Sequence, residues 1–132
     1  MMQKHQIEVR VRYSETDQMG VVYHGNYIPY FEIGRVEWLR NKGISYKIME
    51  ESGVALPIVS MNINYKKSAR YDELLTISTT FKSQTTVKVE FECEIHNEKK
   101  ELLTTAHFIL VFVDLLTGKP IQPPQYIKDI LI

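Results

Sequence analysis

The chain has a single cysteine, Cys93, in 132 residues. That excludes an internal disulfide and any zinc site built on cysteine pairs, and it fits a reducing cytoplasm. An excess of charge of either sign is also missing. Sixteen basic residues balance sixteen acidic ones, so no global field draws the protein to nucleic acid or anionic lipid, and a charged ligand has to be held locally. The longest unbroken apolar run, Phe108 to Val113, falls far short of the roughly 18 residues needed to cross a bilayer. The opening MMQKHQIEVR lacks the apolar stretch of a secretory leader. Neither membrane insertion nor export is expected. There is no Gly-rich phosphate loop and no Gly-x-Ser-x-Gly elbow, which argues against a nucleotide hydrolase, a Rossmann cofactor and a serine hydrolase. His5, His24, His96 and His107 show no metal-ligand spacing, and His107 sits within a strand pattern. Linkers, repeats and low-complexity tracts are absent, so residues 1–132 are expected to form one domain around one core.

What the sequence does contain is alternation. Ile7, Val9, Val11 and Tyr13 alternate with polar residues, as do Val59, Met61, Ile63 and Tyr65; then Leu75, Ile77, Thr79 and Phe81; then Val87, Val89, Phe91, Cys93 and Ile95. Period two marks half-buried strands. A fifth segment, Leu102 to Val113, turns apolar on both faces near its end, as an interior strand does. One stretch breaks the period. From Asn26 to Lys42, Tyr27, Tyr30, Phe31, Gly34 and Trp38 recur at spacings of three and four, and Ile28 and Leu39 widen the stripe. This predicts a long helix, with Asn26 as N-cap, Pro29 in the first turn and Gly43 as C-cap. Ser45 to Ser52 predicts a short second helix. The apolar arc of the long helix is too wide for a flat sheet, and a mid-helix glycine is tolerated best where another backbone packs close. Both features point to a curved sheet wrapped around the helix. The order strand, long helix, four strands makes that sheet antiparallel and the class α+β.

The chemistry is concentrated in Tyr13 to Tyr27, between the first strand and the long helix. The first-turn amides of a helix and the positive end of its dipole seat a negatively charged oxygen. Asp17, folded back through Gly20, brings a carboxylate to such a seat, and a carboxylate facing an oxyanion seat suits acyl transfer. Read alone, short motifs of this kind match by accident, and the plainer reading makes Asp17 a turn former and His24 a polar residue before a cap. Glu32 and Arg35 are expected to pair on the helix. Lys66, Lys67 and Arg70 form a basic cluster that serves either as a solvated face or as a grip on phosphates.

The run Y-x-x-T-D-x-M-G-V-V-Y-H-x-N-Y from Tyr13 to Tyr27 resembles the signature of the 4-hydroxybenzoyl-CoA thioesterase family, in particular its short bacterial branch associated with the Tol-Pal system. The similarity continues through Phe31-Glu32, Arg35, Tyr65-Lys66, Ala69 to Leu74 and Thr117 to Pro120. Ser68 stands where the family often has proline. The resemblance implies a hot-dog fold, a curved five-stranded antiparallel sheet around one long helix. It also implies hydrolysis of acyl-CoA to free acid and coenzyme A, without a metal or redox cofactor. Asp17 falls on the catalytic carboxylate, with His24 as the second catalytic candidate. The carbonyl-polarising amides fall on about His24 to Tyr27, with Tyr23, Gly25, Asn26 and Tyr27 lining the substrate. Val59, Ser60 and Met61 are implied to reach a neighbouring subunit's acyl pocket, and Lys66, Lys67 and Arg70 to lie near the coenzyme A phosphates.

Two rival readings are an acyl-CoA hydratase on the same fold and a non-catalytic acyl-CoA-binding module. Hydratases of this fold space their acid and histidine five apart, whereas Asp17 and His24 are seven apart. A wrapped sheet with one helix leaves an exposed edge, here expected to be Ile58 to Tyr65, so a homodimer is expected, and the resemblance implies a tetramer built from such dimers.

Overall fold

The computed structural model describes residues 3–131. The chain runs through β1 (Gln3–Arg10), two 3-10 turns (Tyr13–Glu15 and His24–Asn26), α1 (Tyr27–Asn41) and α2 (Tyr46–Glu51). After these come β2 (Val54–Ala55), β3 (Ile58–Tyr65), β4 (Leu74–Thr85), β5 (Lys88–His96), β6 (Leu102–Val111), β7 (Val113–Asp114) and α3 (Gln125–Lys128). Five strands make one sheet in the order β1-β4-β5-β6-β3, each neighbouring pair antiparallel, while β2 and β7 pair separately.

The period-two positions supply the inner face: Leu75, Ile77, Thr79 and Phe81 of β4 and Val89, Phe91, Cys93 and Ile95 of β5 are all buried. They close on α1, which reaches across the sheet. Trp38 packs against Phe81 and Phe91, and Phe31 against Phe108 of β6. Burying each such side chain is worth about 1.5–3 kcal/mol. Gly34 is what lets the helix settle this deep, since a Cβ there would lie 2.7 Å from Thr79 Oγ1 and 2.9 Å from Ile77 Cγ2. Gly43, with φ +90°, follows the helix in the conformation a C-terminal glycine supplies.

Several local expectations need correction. β1 ends at Arg10, and Tyr13 turns out of the strand into a 3-10 turn, 78% exposed, instead of completing the buried face. Asn26 does not cap α1 with its side chain. Its amide group donates to the Glu15 carbonyl at 2.8 Å, because a 3-10 turn already leads into the helix. Glu32 and Arg35 do not form an ion pair. Glu32 faces solvent, while Arg35 is 5% exposed with Nε and Nη1 lacking hydrogen-bond partners among the described residues. The Arg35 guanidinium lies 6.0 Å from the Phe108 ring centre, a cation–π contact. Burial pulls its pKa below the ordinary guanidinium value. Both sheet edges, β1 and β3, are open, and β3 carries exposed Val59, Met61 and Tyr65.

Candidate active site

Asp17 sits at the first corner of a tight hairpin. Its N–H donates to Val21 O at 2.9 Å and its carbonyl accepts from Gly20 N at 3.0 Å; Gly20 makes the turn with φ +79°. Isolated bridges join Thr16 to Val22 and Val21 to Arg70, pinning the hairpin to the segment before β4. Asp17 Oδ1 accepts from Met19 N at 2.8 Å. The turn-forming and chemical readings of Asp17 are therefore compatible: one carboxylate oxygen orients the group, and the other is left without a hydrogen bond among the described residues. The residue is exposed.

The start of α1 narrows the expected amide seat. Asn26 N donates to Tyr23 O at 2.8 Å and Tyr27 N to His24 O, so these two amides are already used by the 3-10 turn. Those of His24 and Gly25 have no partner among the described residues, so the seat reduces from His24–Tyr27 to His24 and Gly25. A Cβ at Gly25 would come within 2.9 Å of the exposed Tyr23 ring, which would have to shift to admit it. The His24 ring packs on Tyr23, with centroids 4.3 Å apart, and edge-on to Tyr65. Tyr65 Oη donates to His24 O at 3.0 Å, and Tyr27 Oη accepts from Ala69 N at 3.1 Å. Burial raises the Tyr27 pKa, so that hydroxyl stays protonated.

Asp17, Val22, His24, Tyr27, Tyr65, Lys66 and Lys67 line a cleft of about 280 Å³. Arg70 is not in it. It borders an adjoining cleft of about 230 Å³ with Lys67, Ser68 and Lys99, so the basic cluster runs outward from the Asp17 cleft instead of closing it. Lys67 is ion-paired with Glu101, whereas Lys66 and Arg70 have no ion pair among the described residues. Val59, Ser60 and Met61 lie on the exposed β3 edge and line neither cleft. Tyr65 and Lys99 border these clefts although neither is among the site residues expected from the sequence. In the sequence Tyr65 reads as the last apolar position of a strand. A larger cleft, about 380 Å³, lies on the outer face of the sheet, but Glu92 and Glu94 border it and would repel an anionic ligand. Cys93 is no competing nucleophile, since burial pushes its thiol up to about 12.

Residues 11–131 match the Thioesterase-like superfamily. The chain is 40% identical over 115 residues to YneP of Bacillus subtilis, covering 87% of this chain and 83% of that one. It is 36% identical over 119 residues to the acyl-CoA thioester hydrolase YbgC of Escherichia coli O6:H1, covering 90% and 89%. Among solved structures, the DHNA-CoA thioesterase of Staphylococcus aureus superposes with a TM-score of 0.90 at 39% identity, covering 96% of this chain and 85% of that one.

Proposed function

Because the chain belongs to the Thioesterase-like superfamily, with the hot-dog fold, we infer that it is a thioester hydrolase that converts acyl-CoA to free acid and coenzyme A. The observation that carries the site is the cleft that Asp17 and His24 line together: among the described residues, one Asp17 carboxylate oxygen and the amides of His24 and the adjoining Gly25 have no hydrogen-bond partner. In this proposal the thioester carbonyl oxygen sits on the His24 and Gly25 amides, which gain most when that oxygen becomes an oxyanion. The Asp17 carboxylate then attacks the carbonyl carbon. The C–S bond breaks, the thiolate of coenzyme A departs, and water hydrolyses the resulting mixed anhydride. In the alternative route Asp17 takes the proton of a water that attacks directly. Both routes need the ionised carboxylate, and neither needs a strong general acid, because a thiolate leaves readily. His24 acts through its amide and by packing against Tyr65. No metal or redox cofactor enters either route.

A thiol-release assay over a panel of acyl-CoAs tests this function. Free thiol and free acid should appear in equal amounts. Hydration of an enoyl-CoA without thiol release would identify a hydratase, and tight binding without turnover a binding module.

The nucleotide end of coenzyme A is proposed to lie along Lys66, Lys67 and Arg70, continuing to Lys99. Arg70→Glu or Lys66→Glu should raise KM for acyl-CoA by about fivefold, the equivalent of about 1 kcal/mol for an exposed ion pair. KM for a short thioester without the nucleotide should stay unchanged. Added salt should raise KM for acyl-CoA in the wild type. Equal effects on both substrates would remove the cluster from phosphate binding.

The proposed assembly is a homodimer or a tetramer of such dimers, supported by the open β3 edge with its exposed Val59 and Met61. Pairing two β3 strands across a twofold would bring Val59, Ser60 and Met61 of one chain toward the Asp17 cleft of the other. Ile63→Lys, at a half-buried position packed against the core, should lower both stability and turnover. Sedimentation showing a fully active monomer would refute the shared pocket. The resemblance from Tyr13 to Tyr27 supports placement in the short Tol-Pal-associated branch, and the lone thiol supports a cytoplasmic setting. No described helix is long and apolar enough to cross a membrane.

A further inference from the structure

Asp17 and the unpartnered amides belong to different elements, the hairpin and the start of α1, and the reaction depends on the distance between them. Glu15 ties the two together. Its Oε1 accepts from Tyr30 Oη at 2.7 Å and from Arg12 N at 2.8 Å, and its Oε2 from Arg12 Nη2 at 2.9 Å and Nε at 3.1 Å. Its backbone carbonyl accepts from Asn26 Nδ2 at 2.8 Å and from Tyr23 N at 3.0 Å. Six donors therefore converge on one residue, two positions before Asp17. Three of them come from the residues that flank or follow the amide seat: Tyr23, Asn26 and Tyr30.

We propose that Glu15 is a positioning residue that sets the separation between the Asp17 carboxylate and the His24 and Gly25 amides, acting through Tyr30 and Asn26. This rests on the thioesterase reading of that cleft. The Glu15 side chain is 13% exposed. Burial works to raise its pKa, but the Arg12 amide, the Tyr30 hydroxyl and the Arg12 guanidinium outweigh burial and hold it below the ordinary value. The carboxylate is therefore ionised at neutral pH, when its hydrogen bonds are of the strong, charge-assisted kind. Tyr30 is 1% exposed, and its hydroxyl uses this carboxylate as acceptor. A buried hydroxyl with its acceptor removed will move to find another, and the first turn of α1 will move with it. Misplacement of reacting groups by about 1 Å is enough to cost about 100-fold in rate.

Kinetics of Tyr30→Phe, Glu15→Gln and Glu15→Ala, each alone and combined with Asp17→Asn, test the proposal. Tyr30→Phe removes only the link to the helix. Glu15→Gln keeps an acceptor for Tyr30 while losing the charge. Tyr30→Phe and Glu15→Ala should lower kcat by about tenfold or more with KM for acyl-CoA nearly unchanged, and Glu15→Gln should recover most of the loss. In the Asp17→Asn background the same changes should have little further effect, because there is no carboxylate left to position. If Glu15→Ala fails to fold, Tyr30→Phe and Glu15→Gln carry the same test. Three results would overturn the proposal: an unchanged kcat in Tyr30→Phe, a rise in KM alone, or an equal loss with and without Asp17. An Asp17→Asn enzyme with wild-type turnover would instead overturn the reading of the cleft on which the proposal rests.

Discussion

Asp17→Asn is expected to lower kcat by about 100- to 10,000-fold, the range that a positioned carboxylate contributes in proton transfer, while the fold stays intact. The two halves of this expectation come from different atoms. Met19 N donates to Oδ1, and an asparagine side-chain carbonyl accepts the same bond, so the hairpin keeps its turn. The side chain is exposed, so the stability change should stay within about 0.5 kcal/mol. The amide is neither a competent nucleophile nor a base, which removes both routes to the products at once. Coenzyme A binding should persist, because the cations of Lys66 and Arg70 are untouched. Residual turnover should reflect the His24 and Gly25 amides alone. Turnover near the wild-type rate would take the chemistry away from Asp17. Glu32, an acid in the second turn of α1, faces solvent outside the cleft and would not be a ready replacement.

Gly34→Val is expected to destabilise the protein by about 3 kcal/mol, the upper part of the usual range for overpacking a core. Helix propensity points the other way, because glycine is the poorest residue short of proline in a helix interior, by about 1 kcal/mol relative to alanine. Packing decides the sign. The added Cβ would meet Thr79 Oγ1 at 2.7 Å and Ile77 Cγ2 at 2.9 Å. Both belong to β-branched residues on a buried strand, with little freedom to turn aside. Either the helix lifts from β4 or the strand bends. Gly34→Ala should show the balance of the two effects and lose less than the valine variant. Thermal or denaturant unfolding reads both changes, and stabilisation by either would mean that α1 does not lie this close to the sheet.

Gly34 also shows how much of the fold was legible in the sequence. A glycine amid Tyr30, Phe31 and Trp38 makes sense only if something packs against it, and period-two runs on both sides of the helix supply that surface. The antiparallel class, the wrapped helix and the open edge at β3 follow from those patterns. The helix entrance was less legible. Asn26 has the residue type of an N-cap, but tertiary hydrogen bonding to Glu15 claims its side chain, and a 3-10 turn takes over the entry. Arg35 illustrates the same limit: spacing offered Glu32 as a partner, whereas packing on Phe108 sends the guanidinium into the core and leaves Glu32 in solvent. At the site, residue types and the family signature pointed to Asp17 and His24. Which amides remain free depends on backbone hydrogen bonds that no residue type encodes. Glu15 carried no signal of its own, because its partners Arg12, Tyr23, Asn26 and Tyr30 converge only in the folded chain.

The most direct test of the account is a crystal structure of Asp17→Asn bound to an intact acyl-CoA. The thioester oxygen should lie within hydrogen-bonding distance of the His24 and Gly25 amides, with the carbonyl carbon about 3–3.5 Å from the side chain at position 17 and the phosphates running out along Lys66 and Arg70. A thioester seated on the outer face of the sheet, or with its carbonyl turned away from the start of α1, would contradict it.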